Sequence, residues 1–535
     1  MVRAMCRPTT VSIGFQRVQT WLFAVPKLRV MVGANALLGQ TLRVILPGLA
    51  RSSPDRPWKV RAEDCWGDFP ERDKDDPLGD DDDPKKDAEM GVLARDGGHF
   101  DAQFEYGAAA FAEAACERIE REVPGLPFSV TVDGKKWFRG GVSLSCELPV
   151  LAPCDWGGRG LASCEVRQGA DPFEVSVDVA RRHKKGAEDG PSGLEGDLAR
   201  SLTRKTRIGS LTQAEDFEQL TGDEYLAVIH ADGNAVGQEA ARSRSSAERS
   251  RLFHRNRVLL RRALKEAMDG VVGNGDATQV APLTLLMLGG DDVLVVCRGS
   301  LAFRFVCDLC EQLHALQDQT DAQNFRLTLG VGVVFSRATV PFHRLHAVAE
   351  KLASSAKRLY RGMDPGQTAS VVDWATYTTA WADDPTEVRA RDWICVSKSD
   401  RRVLSHRPLR VLGPDLKSLQ GLVKGAEKLK NASRSQLHHL VDTLRTGKAF
   451  AELAFGELSQ ETKDLLAMKE VGVKEVWNQQ GGGTCLTSLL DLVEVLEIPR
   501  LGVRNKDGLP TEPRQALCTE DSQAQEAGHE RGEAV

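Results

Sequence analysis

Apolar and polar positions follow the same order twice along the chain. The elements predicted for the first copy are a strand at 10–15, a helix at 27–46, a hairpin within 91–105, a helix at 106–123 and a strand at 127–132. The strands carry β-branched and aromatic residues, whereas the helices show apolar spacing of three and four. This order is that of a split βαβ, ferredoxin-like domain, which we expect at residues 9–134.

The second copy begins at Tyr225. Its predicted elements are a strand at 225–231, a long polar helix at 245–268, a hairpin of 283–288 with 293–297, a helix at 301–316, a strand at 326–335, a helix at 341–360 and a strand at 370–374. These elements predict a second βαββαβ palm at residues 221–378. The two copies share the order of their elements but little sequence.

The remaining segments are less regular. Residues 51–90 contain a dense acidic run, DKDDPLGDDDDPKKD, which predicts an exposed and mobile insertion in the first palm. Residues 135–220 predict a connector or small subdomain, 379–502 a helical C-terminal domain, and 503–535 a disordered tail. The fold class expected is therefore α+β, with two ferredoxin-like palm domains, an irregular connector and a helical C-terminal domain.

Length and composition limit the number of domains and the class of protein. A length of 535 residues allows two to four domains, and the net charge of -6 conceals local blocks of both signs. No apolar run approaches the roughly 20 residues of a membrane span, so we expect no membrane segment and a cytoplasmic protein. The 12 cysteines are scattered, which favours free thiols. Cys154 and Cys164 leave zinc binding as a minority interpretation, because short paired spacing of four ligands is absent.

Acidic residues follow the first strand and the central hairpin of the second palm. Neighbouring strands of a split βαβ sheet would bring Asp232 beside Asp291 and Asp292. Carboxylates placed this closely repel one another unless a divalent cation neutralises them, and hard oxygen ligands select Mg²⁺ or Mn²⁺. We therefore predict a site with two metal ions that transfers a nucleotidyl group to a hydroxyl.

The same two turns are rich in residues suited to phosphate. Glycines leave the backbone N–H groups accessible to phosphate oxygens, and a lysine would supply the remaining positive charge. The predicted nucleotide-binding residues are Gly233, Asn234, Gly237, Gly289, Gly290 and Lys357. Taken singly, each motif is most often an ordinary turn; in combination they favour a nucleotide site.

These motifs carry a family resemblance. The segments ADGNAVG and LGGDDVLVV resemble the second palm of the large subunit of type III CRISPR effector complexes, which is itself similar to GGDEF-type nucleotide cyclases. AVAEKLASSAKRLYRG followed by SVVDW is similar to the last helix and strand of that palm, and FQRVQTWLFAVPKLRVMVGANALLGQTL is loosely similar to the start of the first.

The resemblance implies an activity and its residues. It implies that ATP binds with two divalent metals and is joined into cyclic oligoadenylate messengers during antiviral defence. By position it implies metal-binding roles for Asp232, Asp291 and Asp292, and a phosphate contact for Lys357. It also implies effector subunits and RNA as partners, and paired palms within the chain or between two copies.

Departures from the family limit these expectations. The first palm has no acidic residue in GFQRVQ, and its hairpin offers only Asp96, so we expect an inactive palm that pairs with the second or walls its pocket. No His-Asp dipeptide occurs among the 11 histidines, so the family's HD nuclease is not expected.

Two alternatives stay open. One is a nucleotide-binding sensor or structural subunit that does not turn ATP over. The other is a diguanylate-cyclase-like enzyme that uses GTP. It is disfavoured because Asp292-Val293 stands where Glu-Phe would follow Gly-Gly-Asp. The basic stretches 181–185, 200–207 and 401–448 are either RNA-binding surfaces or solvated helix faces.

Overall fold

In the computed structural model, the chain is an α+β protein with two palm sheets, as the sequence predicted. The residues described by the structure are 8–51, 55–61, 68–140, 152–157, 160–188, 196–272, 279–318, 325–364, 367–377, 384–396, 401–480 and 483–502. The predicted disordered tail, 503–535, lies outside them.

The first sheet has six strands in the order β2-β4-β1-β5-β6, with β3 paired to β4. Its strands are β1 (Thr9–Phe15), β2 (Lys59–Val60), β3 (Val92–Ala94), β4 (His99–Tyr106), β5 (Phe128–Val132) and β6 (Lys135–Gly140). β1 lies in the centre, antiparallel to both β4 and β5. This arrangement is the split βαβ order that the sequence predicted.

Several helices accompany the first sheet. They are α1 (Val18–Leu22), α2 (Leu28–Gln40), α3 (Leu46–Ala50), α4 (Pro84–Glu89) and α5 (Ala108–Glu122), with a π-helical turn at Thr41–Ile45 between α2 and α3. The stretch Leu28–Ala50 is long and apolar enough to cross a bilayer by length and composition, which the sequence pattern did not predict. Because 67% of its most apolar window is buried inside the protein, core packing accounts for this composition.

The second sheet also has six strands, in the order β10-β11-β9-β12-β13-β16. They are β9 (Leu226–Gly233), β10 (Leu283–Gly289), β11 (Asp292–Arg298), β12 (Leu329–Ser336), β13 (Val371–Tyr377) and β16 (Leu409–Arg410). Its helices are α9 (Val236–Arg242), α10 (Ser246–Val271), α11 (Gly299–Asp318) and α12 (Phe342–Arg361). The strands and helices predicted for the second palm are confirmed.

The two faces of β9 belong to different cores. Ala227, Ile229 and Ala231 pack in one core with α10 and α11. Leu226 and Val228 point the other way, because side chains alternate along a strand, and they share a core with α12 and the first palm. The first palm is therefore packed directly on the face of the second sheet that carries α12.

The connector packs against the first palm. It contains β7 (Cys164–Gln168), β8 (Asp171–Val175), α6 (Val177–Ala187), α7 (Leu198–Arg204) and α8 (Phe217–Thr221). A Cβ on Gly33 of α2 would lie 1.8 Å from the carbonyl oxygen of Arg182, so α2 and α6 touch through their backbones. In the basic stretch 181–185, Arg182 and Lys185 are buried, which removes them from an RNA-binding surface.

The C-terminal part is mainly helical and contains a small sheet that the sequence did not predict. Its helices are α13 (Pro385–Asp392), α14 (Leu419–Lys428), α15 (Arg434–Thr446), α16 (Lys448–Gly456), α17 (Gln460–Ala467) and α18 (Leu489–Glu497). The sheet has the order β14-β15-β18-β17, formed by Ile394–Val396, Arg401–Val403, Thr484–Leu486 and Asn478–Gln480.

A buried arginine joins this part to the second palm. The Arg407 guanidinium lies between the rings of Trp374 and Trp393, at 4.4 and 4.1 Å from their centroids. It also pairs with Asp491 at 2.9 Å and Glu494 at 2.8 Å, so its charge is neutralised away from water. The domain boundaries themselves stay predictions.

The acidic insertion contradicts the prediction of an exposed, mobile segment. Asp76 and Asp82 are buried, and Leu78 lies in the core of the second palm. The prediction was wrong because acidic runs are normally solvated, whereas here the carboxylates pair with arginines that the chain supplies much later.

Candidate functional site

The three predicted carboxylates lie at one edge of the second sheet. Asp232, near the end of β9, is paired in register with Asp292, the first residue of β11. Asp291 occupies the two-residue turn between β10 and β11, where Gly290 has a positive φ of 64°. The Gly233 N–H donates to the Asp291 carbonyl oxygen at 3.2 Å, which ties the turn to the end of β9. The structure thus brings together the residues that the sequence singled out.

Gly233 permits this close approach. A Cβ at position 233 would lie 2.5 Å from the Asp291 Oδ2 atom, so any larger residue would displace that carboxylate. A Cβ added at Gly237 or at Gly289 would meet no heavy atom within 4 Å, which leaves open space beside both backbones. These glycines therefore differ in role: one packs against a carboxylate, and two border free volume.

Lys357 reaches the carboxylate edge from α12. Its Nζ atom pairs with Asp232 Oδ2 and donates to the Gly233 carbonyl oxygen at 3.0 Å. A Cβ on Gly330 would lie 2.5 Å from Lys357 Cγ, so this glycine of β12 makes room for the lysine stem. The lysine predicted to contact phosphate is therefore placed beside the predicted metal ligands.

Asn234 has a different environment from the one expected for a nucleotide contact. Its side chain is 1% exposed, and its Nδ2 atom donates to Thr328 Oγ1 at 3.0 Å. Its backbone N–H donates to the Thr328 carbonyl oxygen at 2.8 Å. In this structure Asn234 supports the loop after β9, and a nucleotide contact from its side chain stays a prediction.

The carboxylates perturb one another. Burial, followed by the charges of Asp232, Asp291 and Glu350, raises the pKa of Asp292 to about 8. Burial and the charge of Asp232 also raise the pKa of Asp291. Asp292 Oδ1 is buried and has no hydrogen-bond partner among the described residues. A buried acceptor that repels its neighbours is the environment in which a cation is favoured.

The sequence analysis did not single out His230 or Glu350, which lie behind Asp292. His230 Nε2 lies 3.6 Å from Asp292 Oδ1, and its ring meets that of His346 at 5.6 Å between centroids. Burial lowers the pKa of His230 to about 4 and that of His346 to about 3, so both imidazoles are neutral at pH 7. Glu350 on α12 lies 3.7 Å from His346 Nδ1.

Two sequence signals could have identified this group. His230 precedes Asp232 by two positions on a strand, so both side chains share one face. Glu350 precedes Lys357 by seven positions on a helix, which places the two on the same stripe.

A cavity of about 490 Å³ separates the two palm hairpins. Asp291 and Asp292 line it from the second palm, whereas Arg43, Asp96 and Gly97 line it from the first. The acidic edge therefore opens onto a space that both palms enclose, in keeping with the expectation that the first palm walls the pocket.

The first palm lacks the matching carboxylates. Gly14 pairs in register with His99, as Asp232 pairs with Asp292. The Phe15 N–H donates to the Gly98 carbonyl oxygen at 2.8 Å, the counterpart of the bond from Gly233 to Asp291. Asp96 therefore lies two residues before the position that corresponds to Asp291, and it pairs with Arg43 instead.

The donor set at the second edge fits divalent ions. Carboxylate oxygens are the ligands that Mg²⁺ and Mn²⁺ prefer, and Asp292 Oδ1 is a buried oxygen that accepts no hydrogen bond from the described residues. Within the described residues, no group of three or more His, Cys, Asp or Glu side chains is close enough to hold an ion. Mg²⁺ in nucleotide sites is held by one or two carboxylates and completes its shell with phosphate and water, so it does not require three protein ligands.

The cysteines show no comparable arrangement in the described part of the chain. Cys154 is buried and Cys164 half-buried, and both are free thiols. Burial raises the pKa of Cys310 to about 12, and burial also raises that of Cys307, which fits thiols in a helix core. Zinc binding at Cys154 and Cys164 stays a prediction without support from the described residues.

Fold and site together define a class: a protein with two palm domains, of which the second carries an acidic edge and a lysine suited to nucleotide phosphates. Residues 225–363 match the family model described as "Cas10/Cmr2, second palm domain". The resemblance to the large subunit of type III CRISPR effector complexes is confirmed over this segment, which contains every predicted site residue. No curated protein matches the chain by sequence.

Solved structures that the comparison matched include two Csm1–Csm4 cassettes. The one in complex with cA4 has 12% identity and a TM-score of 0.37, over 66% of this chain and 53% of that one. The one in complex with one ATP has 13% identity and a TM-score of 0.45, over 94% and 71%. Csm1 of T. onnurineus has 15% identity and a TM-score of 0.38, over 66% and 52%. The chain thus spans about half the length of the first and third of these proteins.

Proposed function

We propose that the second palm binds ATP with two divalent metal ions, Mg²⁺ or Mn²⁺, and joins ATP into a cyclic oligoadenylate-type signal in type III CRISPR antiviral defence. The observation that carries the proposal is the register of Asp232 with Asp292, with Asp291 in the adjoining turn. The family model over residues 225–363 supports it, and the preference for ATP and a cyclic product comes from the resemblance of the motifs.

The metal ions would be held by Asp232, Asp291 and Asp292. When bound, they supply charge for the phosphate oxygens and lower the pKa of the attacking hydroxyl. Because the pKa of Asp292 is about 8, this carboxyl carries a proton at pH 7, and it releases that proton when a cation binds to it. Proton release therefore accompanies loading of the site near neutral pH.

Lys357 provides the charge that a triphosphate needs. Its ammonium group pairs with Asp232, and the pair is partly exposed. A cation that neutralises Asp232 would free Lys357 to bind a phosphate oxygen in its place. The open space beside Gly237 and Gly289 lets phosphate approach the backbone N–H groups of both turns.

The first palm contributes a wall rather than chemistry. Gly14, Gly98 and His99 occupy the positions of the three carboxylates, so this copy lacks the acidic edge of the second. Arg43 faces the shared cavity from that side. We further propose that the paired palms act in one chain, with effector subunits and RNA as partners.

The test is to incubate purified protein with radiolabelled ATP or GTP and Mn²⁺. Cyclic products from ATP are expected, and their loss is expected in Asp291→Asn and Asp292→Asn. Asp223→Asn, an exposed carboxylate outside the site, is the control and should behave as wild type.

Two outcomes would favour the alternatives. Tight ATP binding without any product, with metal present and partners added, would indicate a nucleotide-binding sensor or structural subunit. Faster conversion of GTP into a cyclic dinucleotide would indicate a diguanylate-cyclase-like enzyme.

A further inference from the structure

The acidic insertion forms a buried ionic network with the second palm. Arg257 of α10 donates to both carboxylate oxygens of Asp82, at 2.9 and 3.0 Å. Arg261, one turn further on, donates to Asp76 and to Asp82, both at 2.8 Å. The side chains of Asp76, Asp82 and Arg261 are at most 2% exposed. These ion pairs are as inaccessible to solvent as the side chains of the hydrophobic core.

The network continues into the first palm. Asp96 of the β3–β4 hairpin pairs with Arg43 from the π-helical turn, and Arg257 Nη1 lies 3.9 Å from Asp96 Oδ2. Arg95 donates to the Asp81 carbonyl oxygen at 2.9 Å and to that of Arg43 at 3.0 Å. We call the set Asp76, Asp82, Asp96, Arg43, Arg257 and Arg261 the clasp.

Each charge in the clasp depends on its neighbours. Burial alone would raise the pKa of Asp82, but Arg257, His254 and Arg261 hold it well below its usual value. Burial alone would lower the pKa of Arg257, but the carboxylates of Asp82 and Asp96 raise it above its usual value. Removing one partner would leave a buried charge without compensation, and the remaining groups would then separate or admit water.

The clasp borders the cavity between the palms. Arg43, Asp96 and the adjoining Gly97 line that cavity, and Asp291 and Asp292 line it from the opposite side. The hairpin that carries Asp96 is thus held to α10, an element of the palm that bears the acidic edge. The insertion is the link, because Asp82 contacts Arg257 and Arg261 while the backbone of Asp81 accepts from Arg95.

We propose that Asp76 and Asp82 are positioning residues that fix the first-palm wall of the cavity relative to Asp291 and Asp292. They do not touch the cavity; they act through Arg257, Arg261 and the Asp96 hairpin. The clasp thereby sets the width available to a ligand held between the palms. The geometric part is independent of catalysis, whereas its effect on turnover rests on the proposed function.

A positioning role differs from a structural one in which segments of the protein open more readily when the residue is replaced. Replacing a residue that only stabilises the fold lowers global stability and increases opening of all elements that unfold together. Replacing a residue that holds one wall in place increases opening of that wall first, and it weakens binding of a ligand that both walls contact. Hydrogen exchange measured by mass spectrometry separates the two cases because it reports each segment separately.

The test compares three variants of the full chain. Asp82→Asn breaks the clasp. Asp80→Asn changes an exposed neighbour in the same acidic run, whose partner Arg72 is also half exposed. Leu437→Ala creates a cavity in the buried C-terminal helices and serves as the destabilised control. Should Asp82→Asn fail to fold, Asp82→Glu keeps the charge but moves the carboxylate by one methylene.

In Asp82→Asn, hydrogen exchange in residues 92–99 should rise about tenfold, the equivalent of a local opening easier by about 1.4 kcal/mol. The KM for ATP should rise more than kcat falls. Asp80→Asn should match wild type, and Leu437→Ala should lower Tm without either change.

Equal exchange in residues 92–99 for Asp82→Asn and Leu437→Ala, at matched loss of Tm, would overturn the proposal. If the protein makes no product from ATP, the proposed function fails, yet the exchange measurement still decides the role of the clasp.

Discussion

Gly14 holds in the first sheet the register position that Asp232 holds in the second. Each lies near the end of a central strand. Each is paired with the first residue of the second strand of the hairpin, which is His99 in the first sheet and Asp292 in the second. The backbone bonds that follow are matched too, since Gln16 N–H donates to the Pro127 carbonyl oxygen at 2.7 Å as Asn234 N–H does to that of Thr328 at 2.8 Å. The two sheets thus share the backbone arrangement of the site, and only the second carries the carboxylates.

This equivalence supplies an internal control. Asp232→Asn should lower product formation by at least ~100-fold, because it removes an anionic oxygen from the predicted metal edge. Gly14→Asn should stay within about twofold of wild type, since a Cβ there meets its nearest atom, His99 Nδ1, at 3.4 Å, where only a small adjustment is needed. Product yields by radiolabelled ATP assay provide the measurement. A comparable loss in both variants would place chemistry in the first palm as well.

Lys357 and Lys351 provide a second matched pair on one helix. Lys357→Met should weaken ATP binding by ~10-fold or more, because it removes the ammonium group beside Asp232 while keeping the stem that fills the space over Gly330. Lys351→Met should bind ATP normally, since Lys351 is exposed and pairs with Asp384 outside the site. Titration calorimetry with ATP and Mn²⁺ gives both affinities. Unchanged binding in Lys357→Met would exclude the phosphate contact.

The raised pKa of Asp292 predicts a pH-dependent stability. A carboxyl whose pKa rises from 3.8 to about 8 on folding binds its proton more tightly in the folded state. Its contribution is therefore fully present below pH 3.8 and is lost as the pH rises through about 8. In EDTA, the Tm of wild type relative to Asp292→Asn should fall over that range, and Mn²⁺ should restore it most at high pH. A difference in Tm that is constant with pH would contradict the assignment.

The basic stretch 181–185 contains both a buried and an exposed cation: Arg182 is buried, whereas Lys184 is exposed. The Arg182 guanidinium lies 4.1 Å from the centre of the Trp21 ring and donates to the Trp21 carbonyl oxygen at 3.0 Å. Arg182→Ala should lower the free energy of unfolding by about 1–3 kcal/mol, because it removes the hydrogen bond to the buried Trp21 carbonyl oxygen and the ion pair with Asp178. Lys184→Ala, on the exposed side of the helix, should change it by less than ~0.5 kcal/mol in denaturant titrations. Equal effects would mean that Arg182 is not a structural residue.

The sequence was sufficient for the parts of the site that lie in turns. Asp-Gly after one strand and Gly-Gly-Asp-Asp in a hairpin are local patterns, and the split βαβ order brings them together. Lys357 was found for a related reason, because a basic helix follows the fourth strand of that order. Local pattern and topology agree here, so Asp232, Asp291, Asp292 and Lys357 meet as expected.

Long-range pairing of charge could not be predicted in the same way. The acidic run looks solvated because its three lysines leave most of its eight aspartates without a partner nearby in sequence, and Arg257 comes 175 residues after Asp82. Arg182 poses the same difficulty, since its contact with Trp21 spans 161 residues. Burial of charge depends on which helices meet, and hydrophobic periodicity reports only that a helix has a buried face.

The buried arginine partners of the insertion have a consequence for the biosynthesis of the chain. Because 175 residues separate Asp82 from Arg257, translation at ~5–20 residues per second leaves Asp82 without this partner for about 10–35 s. During that interval Asp76 and Asp82 lack the arginines that neutralise them in the folded protein, and burying them would leave their charges without compensation. The buried ion pairs of Asp82 can form only after α10 has been synthesised, so the insertion reaches its final position later than the palm into which it is inserted.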